Sequence, residues 1–153
     1  MTRADRAEQL FREGYNCCQS VFGAFTDVTG LELKTAMRHA SPFGAGFGKL
    51  REVCGAVSGM TMVVGYVAGY GEPTDREGKI ALYHIVQELA AEFERRQGTI
   101  ICRDMLKLKQ GEDLPEPAVR TEEYYRSRPC ISAVRDAAEI LDNFLQEFHE
   151  EHH

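Results

Sequence analysis

The run from Val53 to Gly71, VCGAVSGMTMVVGYVAGYG, is nineteen residues long, carries no charged side chain and contains five glycines. Read at helical spacing, Cys54, Ser58, Thr61, Gly65 and Ala68 form one stripe of small side chains, and Gly55 and Gly59 form an adjacent strip. Glycine costs about 1 kcal/mol relative to alanine inside a helix, so a helix that holds several must gain something from them. Close approach is that gain, because small faces let a neighbouring backbone or cofactor come near the helix axis. The run is expected to be a central helix packed by neighbours on most sides, with Cys54 in its first turn. Gly55 and Gly59 are then candidate cofactor-facing positions, unless they serve packing alone. On this reading Gly59→Ala crowds a site beside Cys54, whereas Gly69→Ala, farther along, is tolerated. The run also has the length of a membrane span, roughly 20 residues. Its glycines, Ser58, Thr61 and two tyrosines keep it only modestly apolar, and no other segment could accompany it in lipid.

The flanking sequence reads as helices throughout. Ala4 to Arg12 is amphipathic, with Ala7, Leu10 and Phe11 inward, and Asn16 is a good N-cap for a helix that begins Cys17-Cys18 and ends near Thr26. Leu33 to Ala40 is a third segment, stopped at Ser41-Pro42. The glycine-rich FGAGFGKL at Phe43 to Leu50 is not a P-loop: the Gly44-to-Gly48 gap is one residue short, and Leu50 stands where Ser or Thr would bind magnesium. Its glycines should let backbone pass close to the central helix, with Phe43 and Phe47 plugging into the core. Thr74 or Asp75 caps a long helix to about Gln97 whose seam is Leu82, Ile85, Val86, Leu89 and Phe93, with His84 on the surface flank. Gly98 is its C-cap, and Thr99 is the expected cap of a short helix from Cys102 to Leu108. Lys109 to Ser127 is expected to be an exposed connection, long enough to wrap the surface or hold a partner. Pro129-Cys130 starts the last helix, with Ile131, Val134, Ala138, Leu141, Leu145 and Phe148 as its seam. No strand pattern stands out, so the fold class is all-α: a multi-helix bundle, with residues 1–153 as one domain.

A formal net charge of −6, with no basic stripe, argues against nucleic acid as a partner. The N-terminus, MTRADRAEQL, has no apolar stretch of signal-peptide type, and the expected location is the cytoplasm. In a reducing compartment, cysteines serve as buried packing, metal ligands or redox groups rather than structural disulfides. None of the five cysteines forms a C-x-x-C pair, and gaps of 36, 47 and 27 residues separate Cys17, Cys54, Cys102 and Cys130. Any joint site must be assembled by the fold. Each of these four falls in the first turn of an expected helix, where unpaired N–H groups and the positive end of the helix dipole lower a thiol pKa. Four such starts suit a site of net negative charge, such as a thiolate-ligated iron–sulfur cluster.

The same features resemble the C-GCAxxG-C-C family of small redox-active proteins. The resemblance runs over nearly the whole chain: YNC at Tyr15 to Cys17, FGAGFG at Phe43 to Gly48, CGAVSG at Cys54 to Gly59, Cys102, and CISAVRDAAEIL from Cys130 to Leu141. Cys18 lies outside the four-cysteine pattern and reads as helix packing. The resemblance implies redox activity, and a similar four-cysteine module in some multidomain cytochromes points to an iron–sulfur centre. Three chemistries stay open. Cys17, Cys54, Cys102 and Cys130 can ligate a two-iron or four-iron cluster for electron transfer. Two of them can act as a metal-free thiol–disulfide pair. All four can bind zinc, although zinc sites usually use closely spaced pairs. The expected partner is an oxidoreductase or another redox protein, with no membrane span and with a homodimer allowed.

Overall fold

The computed structural model of the chain describes residues 1–109 and 113–152. Helices account for the regular structure: α1 Arg3–Arg12, α2 Cys17–Gly23, α3 Thr26–Thr29, α4 Leu33–Ala40, the single turn α5 Gly44–Phe47, α6 Gly55–Ala68, α7 Arg76–Gln97, α8 Cys102–Met105, α9 Glu122–Ser127 and α10 Cys130–Glu151. No sheet is present among the described residues, only an isolated antiparallel bridge between Val53 and Ile101. The all-α class is thus observed. No described helix is long and apolar enough to cross a membrane.

Local chemistry fixes where the helices begin. Thr2 accepts from the Asp5 amide at 3.0 Å while the Asp5 carboxylate accepts from the Thr2 amide at 3.1 Å, a reciprocal cap for α1. Asn16 and Gln19 repeat the arrangement at α2, at 2.9 and 3.0 Å. This second cap fixes the residue at which Cys17 enters its helix. Asp75 caps α7 through the Gly78 amide at 2.9 Å.

Packing follows the apolar seams. α2 lies most extensively against α6, and α1 against α10. Phe11, Phe22, Phe25, Phe93, Met60 and Leu141 are fully buried between them, each worth about 1.5–3 kcal/mol of transfer free energy. The glycine strip of α6 does bring another backbone close. A Cβ added at Gly59 would stand 2.8 Å from the Cys18 carbonyl oxygen and 3.1 Å from Val21 Cβ. α6 is enclosed only as far as Val64, however, since Gly65 and Tyr66 are exposed. Gly69 does not behave as expected: it follows the helix end, and a Cβ there would lie 2.2 Å from the Gly65 carbonyl oxygen. Gly65 is the open position, with nothing within 4 Å.

Several boundaries differ from the sequence reading for identifiable reasons. The helix from Cys17 breaks after Gly23 and resumes as α3. The short helix from Cys102 stops at Met105, because Lys107 takes a left-handed backbone (φ 56°). Thr99 accepts from the Ile101 amide at 3.0 Å, bracing the turn before α8 rather than capping it. The 109–127 connection contains α9, which Thr121 caps through the Tyr124 amide at 3.2 Å. In the α7 seam only Leu89 and Phe93 are buried, and His84 is exposed as expected. Phe47 is 53 % exposed rather than in the core; the left-handed turn that carries it swings its ring outward, against half-buried Phe43 at 5.8 Å.

Candidate functional site

Three of the four cysteines are the first residue of a helix: Cys17 of α2, Cys102 of α8 and Cys130 of α10. Cys54 is the N-cap of α6, with the Ala56 and Val57 amides aimed at its sulfur. All four line one cavity of about 450 Å³, within the size range of small-ligand sites.

The Val53–Ile101 bridge sets two of them side by side. The Cys54 amide donates to the Ile100 carbonyl and the Cys102 amide to the Glu52 carbonyl, each at 2.7 Å. Residues 45–51 then coil around this pair in a left-handed path: Ala45, Phe47, Lys49 and Arg51 have φ of 56, 74, 69 and 62°. A left-handed residue with a side chain costs about 1–2 kcal/mol, so the surroundings must enforce the turn. The Glu52 amide closes it on the Gly46 carbonyl at 2.8 Å. Gly46 cannot be replaced here, because a Cβ would sit 2.7 Å from both Arg51 Cα and Cys102 Cβ. Gly55 lines the cavity, and a Cβ added there would stand 3.2 Å from Cys17 Cβ. Gly59 lies one turn deeper, faces α2 and does not line it.

Among the described residues, charge in the cavity wall is all of one sign: Lys49, Arg51, Arg120 and Arg128 contribute to it and no acidic side chain does, although the chain as a whole is acidic. Arg51 is 3 % exposed. It donates to Cys102 Sγ at 3.5 Å and forms an ion pair with Asp113 just outside the lining. Arg120 donates to the carbonyls of Phe11 and Tyr15 at 2.7 and 2.8 Å and stacks on Phe11. Arg128 stacks on Tyr124, 4.4 Å from its centroid. Neither Arg120 nor Arg128 has a carboxylate partner among the described residues. The segment around Pro115, Pro117 and Ala118 closes one side of the cavity, so this connection is part of the site wall.

These surroundings divide the thiols. A side-chain hydrogen bond links the Cys17 and Cys130 thiols. The bond holds the Cys17 thiol well above its usual value, with burial adding to the effect. Cys130 is lowered to about 7 by the same bond and by the charges of Arg128, Arg120 and Arg51, against the cost of burial. Burial pushes Cys54 up to about 12 despite its helix-start amides. It raises Cys102 as well, opposed by Arg51. A helix start alone therefore does not make a thiolate in this fold; desolvation outweighs it at Cys54 and Cys102. Cys18 is buried outside the cavity, with its sulfur 3.6 Å from Met62 Sδ, as a packing residue would be.

The thiols ring the cavity rather than closing on one point. Among the described residues no three His, Cys, Asp or Glu side chains are grouped as ligands of a single metal ion. The sequence reading missed Arg51, Asp113, Arg120 and Arg128. Arg128 stands two residues before Cys130, which could have suggested it, but nothing local marks the others.

A family model described as "Putative redox-active protein (C_GCAxxG_C_C)" matches residues 15–144, which include every cysteine of the chain. No curated protein and no solved structure matches the chain.

Proposed function

Since the chain belongs to the C_GCAxxG_C_C family of redox-active proteins, we propose that Cys17, Cys54, Cys102 and Cys130 are its redox centre and hold an iron–sulfur cluster for electron transfer. One observation carries this reading: four helix starts, far apart in sequence, deliver four thiols to one cavity whose wall, among the described residues, contains cations and no acid. The donor set fits, because four thiolates complete the ligation of a two-iron or a four-iron cluster. The open ring of thiols suits a cluster better than zinc. A tetrahedral zinc site needs every sulfur about 2.3 Å from one ion, whereas a cluster shares its thiolates among several irons. When bound, such a cluster supplies reversible one-electron transfer.

The residues of the chain prepare that site. Arg120 and Arg128, without carboxylate partners among the described residues, offset the negative charge of thiolates. Arg51 donates to Cys102 Sγ and is held in place by Asp113. Gly46 and Gly55 keep the wall thin where side chains would meet Cys102 and Cys17. The five cysteines are all free thiols, which suits work in a reducing compartment such as the cytoplasm.

The test is purification without oxygen, followed by assay of iron and acid-labile sulfide per chain. Alanine at Cys17, Cys54, Cys102 or Cys130 should abolish loading, and Cys18→Ala should keep it. Absence of iron and sulfide from the anaerobic wild type, even after reconstitution, would overturn the cluster reading.

A second reading has its own observation, the hydrogen-bonded Cys17–Cys130 pair with Cys130 at about 7. The Cys130 thiolate can attack a disulfide RS–SR, forming Cys130–S–S–R and releasing one thiolate, RS⁻. Cys17, on losing its proton, then attacks the Cys130 sulfur. A Cys17–Cys130 disulfide forms, a second RS⁻ leaves, and the two cysteines have lost two electrons to the substrate. A metal-free protein that reduces a small disulfide stoichiometrically, and loses this with Cys130→Ser but not with Cys54→Ala, would favour this reading.

A further inference from the structure

A second concavity of about 550 Å³ adjoins the cysteine cavity on its outer side. It lies between the residues that follow α8 and the end of α9. Met105, Leu106, Arg128 and Pro129 belong to the walls of both spaces, and Arg128 and Pro129 immediately precede Cys130 in the chain. The groove is therefore the surface approach to Cys130.

Its chemistry is specific. Lys107, Arg126 and Arg128 supply its charge, Leu106, Leu108 and Pro129 line it with half-buried apolar surface, and no acidic side chain among the described residues lines it. The only ion pair on these cations among the described residues is Arg126 with Glu123, at 3.2 Å. Both of its side chains are more than 70 % exposed, so it holds Arg126 weakly. On a chain of net charge −6, a basic concavity contiguous with the redox cavity singles out one face for a negatively charged visitor. A field of this kind steers encounter and fixes orientation.

We infer that this groove is the docking surface for the redox partner, which presents an acidic segment to Lys107 and Arg126 with apolar residues against Leu106 and Leu108. The partner part of the inference rests on the proposed redox role, while the binding of an acidic segment does not require a cluster. The relationship is one of charge complementarity: the groove is cationic on a chain whose net charge is −6. Docking there brings the partner within a few residues of Cys130, without the partner having to enter the cavity.

The experiment uses the full chain and a fluorescein-labelled hexaglutamate peptide, with binding read by fluorescence anisotropy at low and at physiological salt. Wild type should bind the peptide, and affinity should fall as salt rises. Lys107→Glu/Arg126→Glu should weaken binding about tenfold or more, from two charge reversals in the groove. Lys34→Glu/Arg38→Glu, an equal charge change on the exposed face of α4, should stay within about twofold of wild type if local complementarity rather than net charge governs binding. Circular dichroism confirms that each variant is folded. No binding by wild type, or equal losses in the two double variants, would overturn the docking surface. Binding that is lost only in the groove variant supports it, whether or not the protein carries iron. An iron assay on the same preparations therefore separates failure of this inference from failure of the cluster reading.

Discussion

Val53 and Ile101 face each other in an isolated antiparallel bridge, and the next residue of each chain segment is a cysteine of the site, Cys54 and Cys102. Two hydrogen bonds of 2.7 Å flank that bridge and fix the starts of α6 and α8 together. A contact between residues 48 apart thus replaces the short C-x-x-C spacing that would otherwise pair two thiols.

The first prediction concerns this bridge. The amides of Cys54 and Cys102 should be protected from hydrogen exchange and should lose protection in one cooperative step, because each is bonded across the same bridge. Residue-resolved exchange by NMR reads this directly. Independent opening of the two amides would show that the bridge does not unite the site.

Thiol reactivity should follow the asymmetry of the pairs. In metal-free protein Cys130 should be alkylated first, with a rate that rises through pH about 7. Cys54 and Cys18, at about 12, should stay inert up to the alkaline limit of stability. Cys17→Ala removes the donor that stabilises the Cys130 thiolate, so the midpoint should move up and the rate at pH 7 should drop several-fold. Iodoacetamide labelling at a series of pH values, read by peptide mass spectrometry, checks both statements. An unchanged midpoint in the variant would show that the arginines alone set it.

Glycine variants should separate packing from open space. Gly59→Ala puts a methyl against the Cys18 carbonyl and Val21, which should cost about 1–3 kcal/mol. The same strain should reduce loading of the site by displacing α2 and its Cys17. Gly65→Ala, with free space around it, should stabilise by up to about 1 kcal/mol and leave loading unchanged. Chemical denaturation and iron content measure the two effects.

The Arg51–Asp113 ion pair should make the segment around Pro115 acid-sensitive. Arg51 holds the Asp113 carboxyl below its usual range, so the stability it gives is fully present above the unfolded value. That stability is lost as pH falls through the lowered one. Asp113→Asn should loosen residues 113–120 already at neutral pH, at a cost of about 1–3 kcal/mol for the broken charge-assisted bonds. Hydrogen exchange of that segment measures it. Equal protection in wild type and variant would show that the Arg120 bonds to Phe11 and Tyr15 suffice.

Much of the fold is legible in the residues because it is local. Asn16 and Gln19 announce the α2 cap, Pro129-Cys130 announces the start of α10, and the seam of Val134, Ala138, Leu141 and Leu145 announces its buried face. Placement of each site cysteine at or next to a helix start follows from the same local rules. The left-handed turn at Ala45 to Arg51 was not legible, since only its glycines favour that backbone and four of its residues oppose it. Nor did anything near Asp113 or Arg120 connect the 113–120 segment to the cavity.

By itself the sequence determined that the chain is helical, which residues open its helices, and that four cysteines sit at those openings. Capping and amphipathic periodicity act over three or four residues, within reach of a linear reading. Only the tertiary structure decided that Cys54 lies beside Cys102, that Cys17 pairs with Cys130, and that Arg51, Arg120 and Arg128 stand around them. Thiol protonation depends on burial and on charges a few ångströms away. In this chain those charges come from segments as far as 79 residues from the thiol they act on, as Arg51 is from Cys130.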